Sequence, residues 1–179
     1  MLYVSFACRL TLAAVMVLAA VAKLRSPGAF AASLKDFDFI PARLRRPLAV
    51  LVSAVELVVA LLLAVPATVT AGFLVAALFC CALTAVPVLV VARGQQVTCA
   101  CFGASETPMG GWHIARNATL LAAAVLGSAV ALTVGDGVPG EMAGIVLAVV
   151  SAGVLTALTV FVDDIAALFR SPVAGDLGR

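Results

Sequence analysis

Apolar residues in this chain come in long unbroken runs, and the polar residues gather between them. Five runs, approximately Leu2–Ala22, Pro47–Val65, Val69–Ala92, Ile114–Val134 and Met142–Val162, are long enough to cross a bilayer. A crossing needs about 20 consecutive apolar residues. The runs are continuous, where the strands of a membrane barrel would alternate. Alanine, valine and leucine dominate them, and small side chains let helices approach closely in lipid. The pattern predicts an all-α fold: a polytopic membrane bundle of five transmembrane helices. The expected organisation is one integral membrane domain over residues 1–179, with a four-helix core in 1–135 and an additional helix at 142–162. Ala20-Val21-Ala22 also has the A-x-A form of a signal-peptidase site. Against cleavage, Arg9 comes only after mostly apolar residues and forms no basic leader region.

Composition agrees with this reading. Of the 179 residues, 64% are hydrophobic and 11% charged, whereas a soluble domain carries roughly 25% charged residues. With a net charge of +2 and no basic tract, nucleic acid is excluded as a partner and the lipid bilayer is the expected one. Charge also orients the bundle. Five crossings put the first loop (Lys23–Arg46), the third loop (Arg93–His113) and the tail on one side. Nine of the eleven basic residues fall in these segments, six of them in the first loop, and a tenth, Arg116, lies at the adjoining end of the fourth run, so only Arg9 is off that side. The positive-inside rule assigns it to the cytoplasm.

The first loop has a pattern of its own. In "SPGAFAASLKDFDF", Ser26 suits an N-cap and Pro27 the first helical turn. Phe30, Leu34 and Phe37 recur at i, i+4, i+7 and share one helical face. Such a helix lies at the membrane interface as a flap covering the bundle, or as a lid over a site.

The candidate chemistry is in the third loop, "VTCACFGASETPMGGWH". Cys99 and Cys101 stand outside the apolar runs, one residue apart. A helix N-terminus and the nearby Arg116 favour thiolate. A disulfide across one residue closes a cramped ring, and strained disulfides are the exchangeable kind. The pair therefore suits electron transfer better than stapling. Metal binding is the competing chemistry: Cys99, Cys101, His113 and Glu106 are available, but C-x-C is an uncommon zinc spacing and the fourth ligand is weak. No metal is expected, and His113 is expected at the interface beside Trp112. Cys8, Cys80 and Cys81 lie inside apolar runs and read as packing residues.

Arg9 and Glu56 are ionisable and lie within predicted spans, where such residues face the bundle interior and pair. Counted from the first-loop side, Arg9 is 14 residues from Lys23 and Glu56 nine from Pro47. At about 1.5 Å per residue their depths are roughly 20 and 14 Å. An Arg9–Glu56 ion pair is expected, serving either structure or a proton or anion site near the thiols.

"CACFG" before the fourth run, "RN" at its head, Arg9, "AKLRSPGAF" and Glu56 together resemble the MauE family of methylamine-utilisation membrane proteins. They are similar also to the broader DoxX-like group. The resemblance spans about the first 135 residues. It implies a multi-pass plasma-membrane protein that assists maturation of an exported, disulfide-rich client together with a thioredoxin-like protein. It thus implies thiol–disulfide oxidoreductase chemistry at Cys99 and Cys101, supported by Arg116, Glu56 and Arg9. Such a partner requires the thiols outside, opposite to the charge count. The outline is similar to vitamin K epoxide reductases too, but C-x-C replaces their C-x-x-C, so quinone is a poor match and no cofactor is evident. The alternative, of DoxX type, is a non-enzymatic scaffold or small-molecule carrier whose cavity Arg9 and Glu56 would line.

Overall fold

The computed structural model describes residues 1–37, 40–94, 97, 110–135, 137 and 139–169, the last eight as backbone only. The described residues form six α-helices: α1 (Leu2–Arg25), α2 (Pro27–Ser33), α3 (Ala42–Ala64), α4 (Val69–Ala92), α5 (Gly111–Val134) and α6 (Met142–Phe169). Five of them, all but α2, are long and apolar enough to cross a membrane. No strand occurs among the described residues. The all-α, multi-pass expectation holds, and each run becomes one helix.

Contacts between the helices fix their directions. Lys23 meets Glu56 and Arg9 meets Leu63, so α1 and α3 are antiparallel. Asn117 meets Leu83, while Gly127 lies against Phe73, so α4 and α5 are antiparallel too. Gly144 lies against Tyr3, which runs α6 parallel to α1. The chain therefore alternates up and down. The helix ends at Arg25, Ala42, Ala92 and Gly111 therefore lie at the same end of the bundle, as counted from the runs.

The central cluster draws on four helices: Leu12, Val15 and Met16 of α1, Val59 and Leu63 of α3, Phe73, Ala76 and Cys80 of α4, and Leu120 and Ala124 of α5. α1 packs against α3, α5 and α6, and α6 joins chiefly through α1. The run with the peptidase-like "AVA" is thus the central helix. Leucines such as Leu51, Leu61, Leu78 and Leu147 face outward. Lipid tails are as apolar as leucine, so burial alone does not hold these helices together; close packing and polar contacts do. The Gly127 position shows the closeness: a Cβ there would overlap the buried Phe73 ring.

Two expected boundaries move. α1 continues through Lys23 to Arg25, and α3 begins at Ala42, before Pro47. In the first loop, α2 and a 3₁₀ turn at Leu34–Asp36 press Phe30, Leu34 and Phe37 against Ala49 and Val90. The predicted apolar face is correct, and it covers the end of the bundle. Ser26 stands at the N-cap position without a side-chain capping bond.

Pro87 lies inside α4 and is buried. Lacking an N–H, it leaves the carbonyl of Leu83 without its usual helical donor. Asn117 of α5 supplies one, its Nδ2 donating to Leu83 O at 2.9 Å. In lipid no water can substitute. Asn117→Leu should therefore destabilise the protein by about 1–2 kcal/mol, near the upper range for interhelical hydrogen bonds in membranes. In a Pro87→Ala background, where residue 87 regains its N–H, the same change should cost much less. Thermal stability of the two singles and the double in detergent reads this cycle; equal losses in both backgrounds would refute it.

Candidate functional site

Under α2, the helices line a partly open cavity of about 340 Å³. Its walls are mostly apolar, including Met16, Leu34, Phe37, Val52, Phe79 and Val86. One region is polar: Lys23, Glu56, His113, Arg116 and Asn117 all line it.

Lys23 and Glu56 form an ion pair, Nζ to Oε1 at 2.6 Å, with side chains only 2% and 3% exposed. Lys23 also lies 3.5 Å from the carbonyl of Ala19, and its ammonium sits 5.1 Å from the centre of the Phe30 ring, within cation–π range. One cation thus links α1, α3 and the flap. The expected partner of Glu56 was Arg9, and this is corrected. Arg9 donates instead to the last carbonyls of α3, through Nε to Leu63 O at 2.5 Å and through a terminal nitrogen to Ala64 O at 2.9 Å. These carbonyls lack intrahelical donors and carry the negative end of the helix dipole, so they attract a guanidinium. Arg9 is not among the cavity-lining residues. Glu56 is.

The head of α5 supplies the other polar groups. His113 is buried, not interfacial, while its neighbour Trp112 is exposed. Gly110 N–H donates to His113 Nδ1 at 3.4 Å, the reciprocal half of a capping arrangement. Arg116 is buried one turn further along, its Nε 3.5 Å from Asn117 Oδ1. Asn117, held to Leu83 by the proline-freed carbonyl, so orients the guanidinium. The "RN" pair is explained: Asn117 closes the gap made by Pro87 and steadies Arg116 at the cavity.

Cys99, Cys101 and Glu106 lie outside the described residues. Their neighbour Val97 is buried with Phe30, Leu34, Phe37 and Val90 in the flap cluster. Cys8, Cys80 and Cys81 are free thiols; Cys80 packs in the core, whereas Cys81 faces outward and so is no packing residue. Sequence reasoning missed Lys23, taken as the start of a loop, and Asn117. The signal for Asn117 was present: an amide near the head of one span and a proline late in the preceding one.

The family model for methylamine utilisation protein MauE matches residues 1–132. The chain belongs to the MauE family. The match takes in α1 to α5 up to Leu132 and with them the whole cavity; α6 lies beyond it. No curated protein and no solved structure matches the chain. This MauE-family member is a multi-pass membrane protein whose cavity is lined in part by its own first loop.

The ion pair is testable. Lys23→Met alone leaves Glu56 uncompensated inside the bundle, and Glu56→Gln alone leaves Lys23 so. Each single should lose about 3–5 kcal/mol, the cost of breaking a buried pair. Lys23→Met with Glu56→Gln should recover much of the loss. Membrane yield and melting temperature of the three variants give the coupling; strictly additive losses would mean that the pair contributes nothing.

Proposed function

We propose that this MauE-family protein transfers electrons between thiols and disulfides in the plasma membrane, assisting maturation of a partner protein in the manner of methylamine utilisation. Cys99 and Cys101 are the exchanging pair. In the reducing direction, one thiolate attacks a partner disulfide and releases the partner's first thiolate. The second cysteine then attacks the mixed disulfide and releases the other. Two electrons leave the C-x-C pair, which ends as a disulfide; the oxidising direction is the reverse.

The observation that carries this reading is how both ends of the cysteine segment are fixed. Val97 is buried in the flap cluster. At the other end, Gly110 is bonded to His113, which lines the cavity. Cys99 follows Val97 by two residues, at most about 7 Å of chain. Arg116 and the N-terminal end of α5 at Gly111 lie at the same end of the bundle, and both favour a thiolate. Glu56 contributes by holding Lys23, and Arg9 by holding the end of α3.

Cys101→Ser should leave Cys99 able to retain a partner, thioredoxin-like protein or client, as a mixed disulfide, or Cys99→Ser should do so through Cys101. Two-dimensional gels, non-reducing then reducing, should show an off-diagonal spot absent from the double variant. A stoichiometric metal lost on Cys99→Ser, with no mixed disulfide from either variant, would replace the redox reading by a metal site.

A further inference from the structure

We propose that a groove beside α2 holds an anionic phospholipid, with its phosphate at Arg46 and one acyl chain along α3. The binding does not depend on the thiol chemistry.

The groove has a volume of about 490 Å³ and lies between the end of α1, α2 and one face of α3. Arg46, Ala49, Val50, Ser53, Ala54 and Leu57 form its α3 wall. They recur at i, i+3, i+4, i+7, i+8 and i+11, which places them on one helical face. Leu24 of α1 and Pro27, Gly28 and Ala31 of α2 form the other wall. A Cβ on Gly28 would meet nothing within 4 Å, so the space beside it is open. From Arg46 to Leu57 the chain advances eleven residues, about 16 Å at about 1.5 Å per residue. That matches one leaflet, half of a hydrocarbon core of about 30 Å. Val50, Ala54 and Leu57 are exposed, so the groove opens sideways towards lipid. It covers one side of one chain and leaves a second chain in the bilayer, as a two-tailed lipid requires.

Charge selects the head group. Arg46 is exposed and stands at the end of the groove, at the fifth residue of α3. Arg43 is exposed on the same helix, three residues earlier. Neither has an ion pair among the described residues. The first loop as a whole carries six basic residues against two acidic ones, Asp36 and Asp38. Lys23 also lines the groove, but Glu56 holds its charge. The Ser53 hydroxyl donates to Ala49 O at 3.1 Å. Recognition of the head therefore falls to Arg46. A guanidinium meets phosphate through paired N–H donors. The charge count assigns this end of the bundle to the cytoplasm, where the leaflet surface is negative. A zwitterionic head brings its own cation towards the arginines and is the poorer match.

The test releases the full-length protein from nanodiscs of equimolar dioleoyl phosphatidylglycerol and dioleoyl phosphatidylcholine and weighs it with its retained lipid by native mass spectrometry. Phosphatidylglycerol should be retained in preference to phosphatidylcholine, whose chains are identical. Arg46→Gln should reduce that preference about fivefold, the worth of one arginine at an anionic surface. Lys35→Gln removes the same charge from the same loop outside the groove and should leave the preference unchanged. Ala54→Phe fills the groove at an exposed position without altering a charge and should abolish retention. Equal losses from Lys35→Gln and Arg46→Gln would mean a diffuse surface attraction and overturn the site. Phosphatidylcholine retained as strongly as phosphatidylglycerol would overturn it too, as would displacement of the lipid by inorganic phosphate at the same concentration. If a variant fails to fold, phosphatidylglycerol bearing a diazirine on its acyl chain gives the answer on the wild-type protein. Crosslinks on peptides containing Val50, Ala54 or Leu57 support the site, and crosslinks confined to outward residues of other helices, such as Leu78 and Leu147, overturn it.

Discussion

The bundle is organised around the buried ion pair of Lys23 and Glu56. A lone ammonium or carboxylate inside a helix bundle carries a desolvation cost of several kcal/mol. Lys23 and Glu56 meet that cost for each other, and α1 and α3 must adopt one register for them to do so. The same ammonium lies under the Phe30 ring. The flap that lines the cavity is therefore seated on the charge that fixes the helices. Loss of either partner would affect helix register and lid together.

A second constraint works at the opposite wall. A proline inside a spanning helix frees a carbonyl that lipid cannot satisfy. Asn117 satisfies it from α5. Its carbonyl oxygen then faces Arg116. The break in α4 thus becomes the means by which a buried guanidinium is aimed. Arg9 performs a separate task at the far end of α3, where its guanidinium meets the last carbonyls. Three basic side chains inside or near the spans accordingly have three different functions: pairing, site lining and capping.

Close approach of helices makes these polar contacts reachable. Tyr3 lies over Gly144 and Phe73 over Gly127, each ring occupying the space that a Cβ would take. Packing of this kind replaces the hydrophobic driving force that a soluble core would have. α6 attaches by such contact to α1 and lies outside both the cavity and the family match. The cavity belongs to the five helices that the family model covers.

The linear sequence was sufficient for the fold class, the five spans, the alternation that brings the ends of α1, α3, α4 and α5 at Arg25, Ala42, Ala92 and Gly111 together, and the apolar face of the flap. These follow from local quantities: run length, hydropathy and helical periodicity, which lipid makes nearly decisive because every backbone group must bond within its own segment. The family was legible in "CACFG" and "RN". The partner of Glu56 was not. Depth counted along each helix put Arg9 near Glu56 and left Lys23 in the loop, whereas α1 continues to Arg25 and so carries Lys23 to Glu56. The burial of His113 and the task of Asn117 were likewise hidden, because each depends on the packed bundle, Asn117 on a carbonyl 34 residues earlier in the chain. Periodicity shows which face of a helix is apolar, but which residues converge on one cavity is decided by helix rotation and close packing in three dimensions.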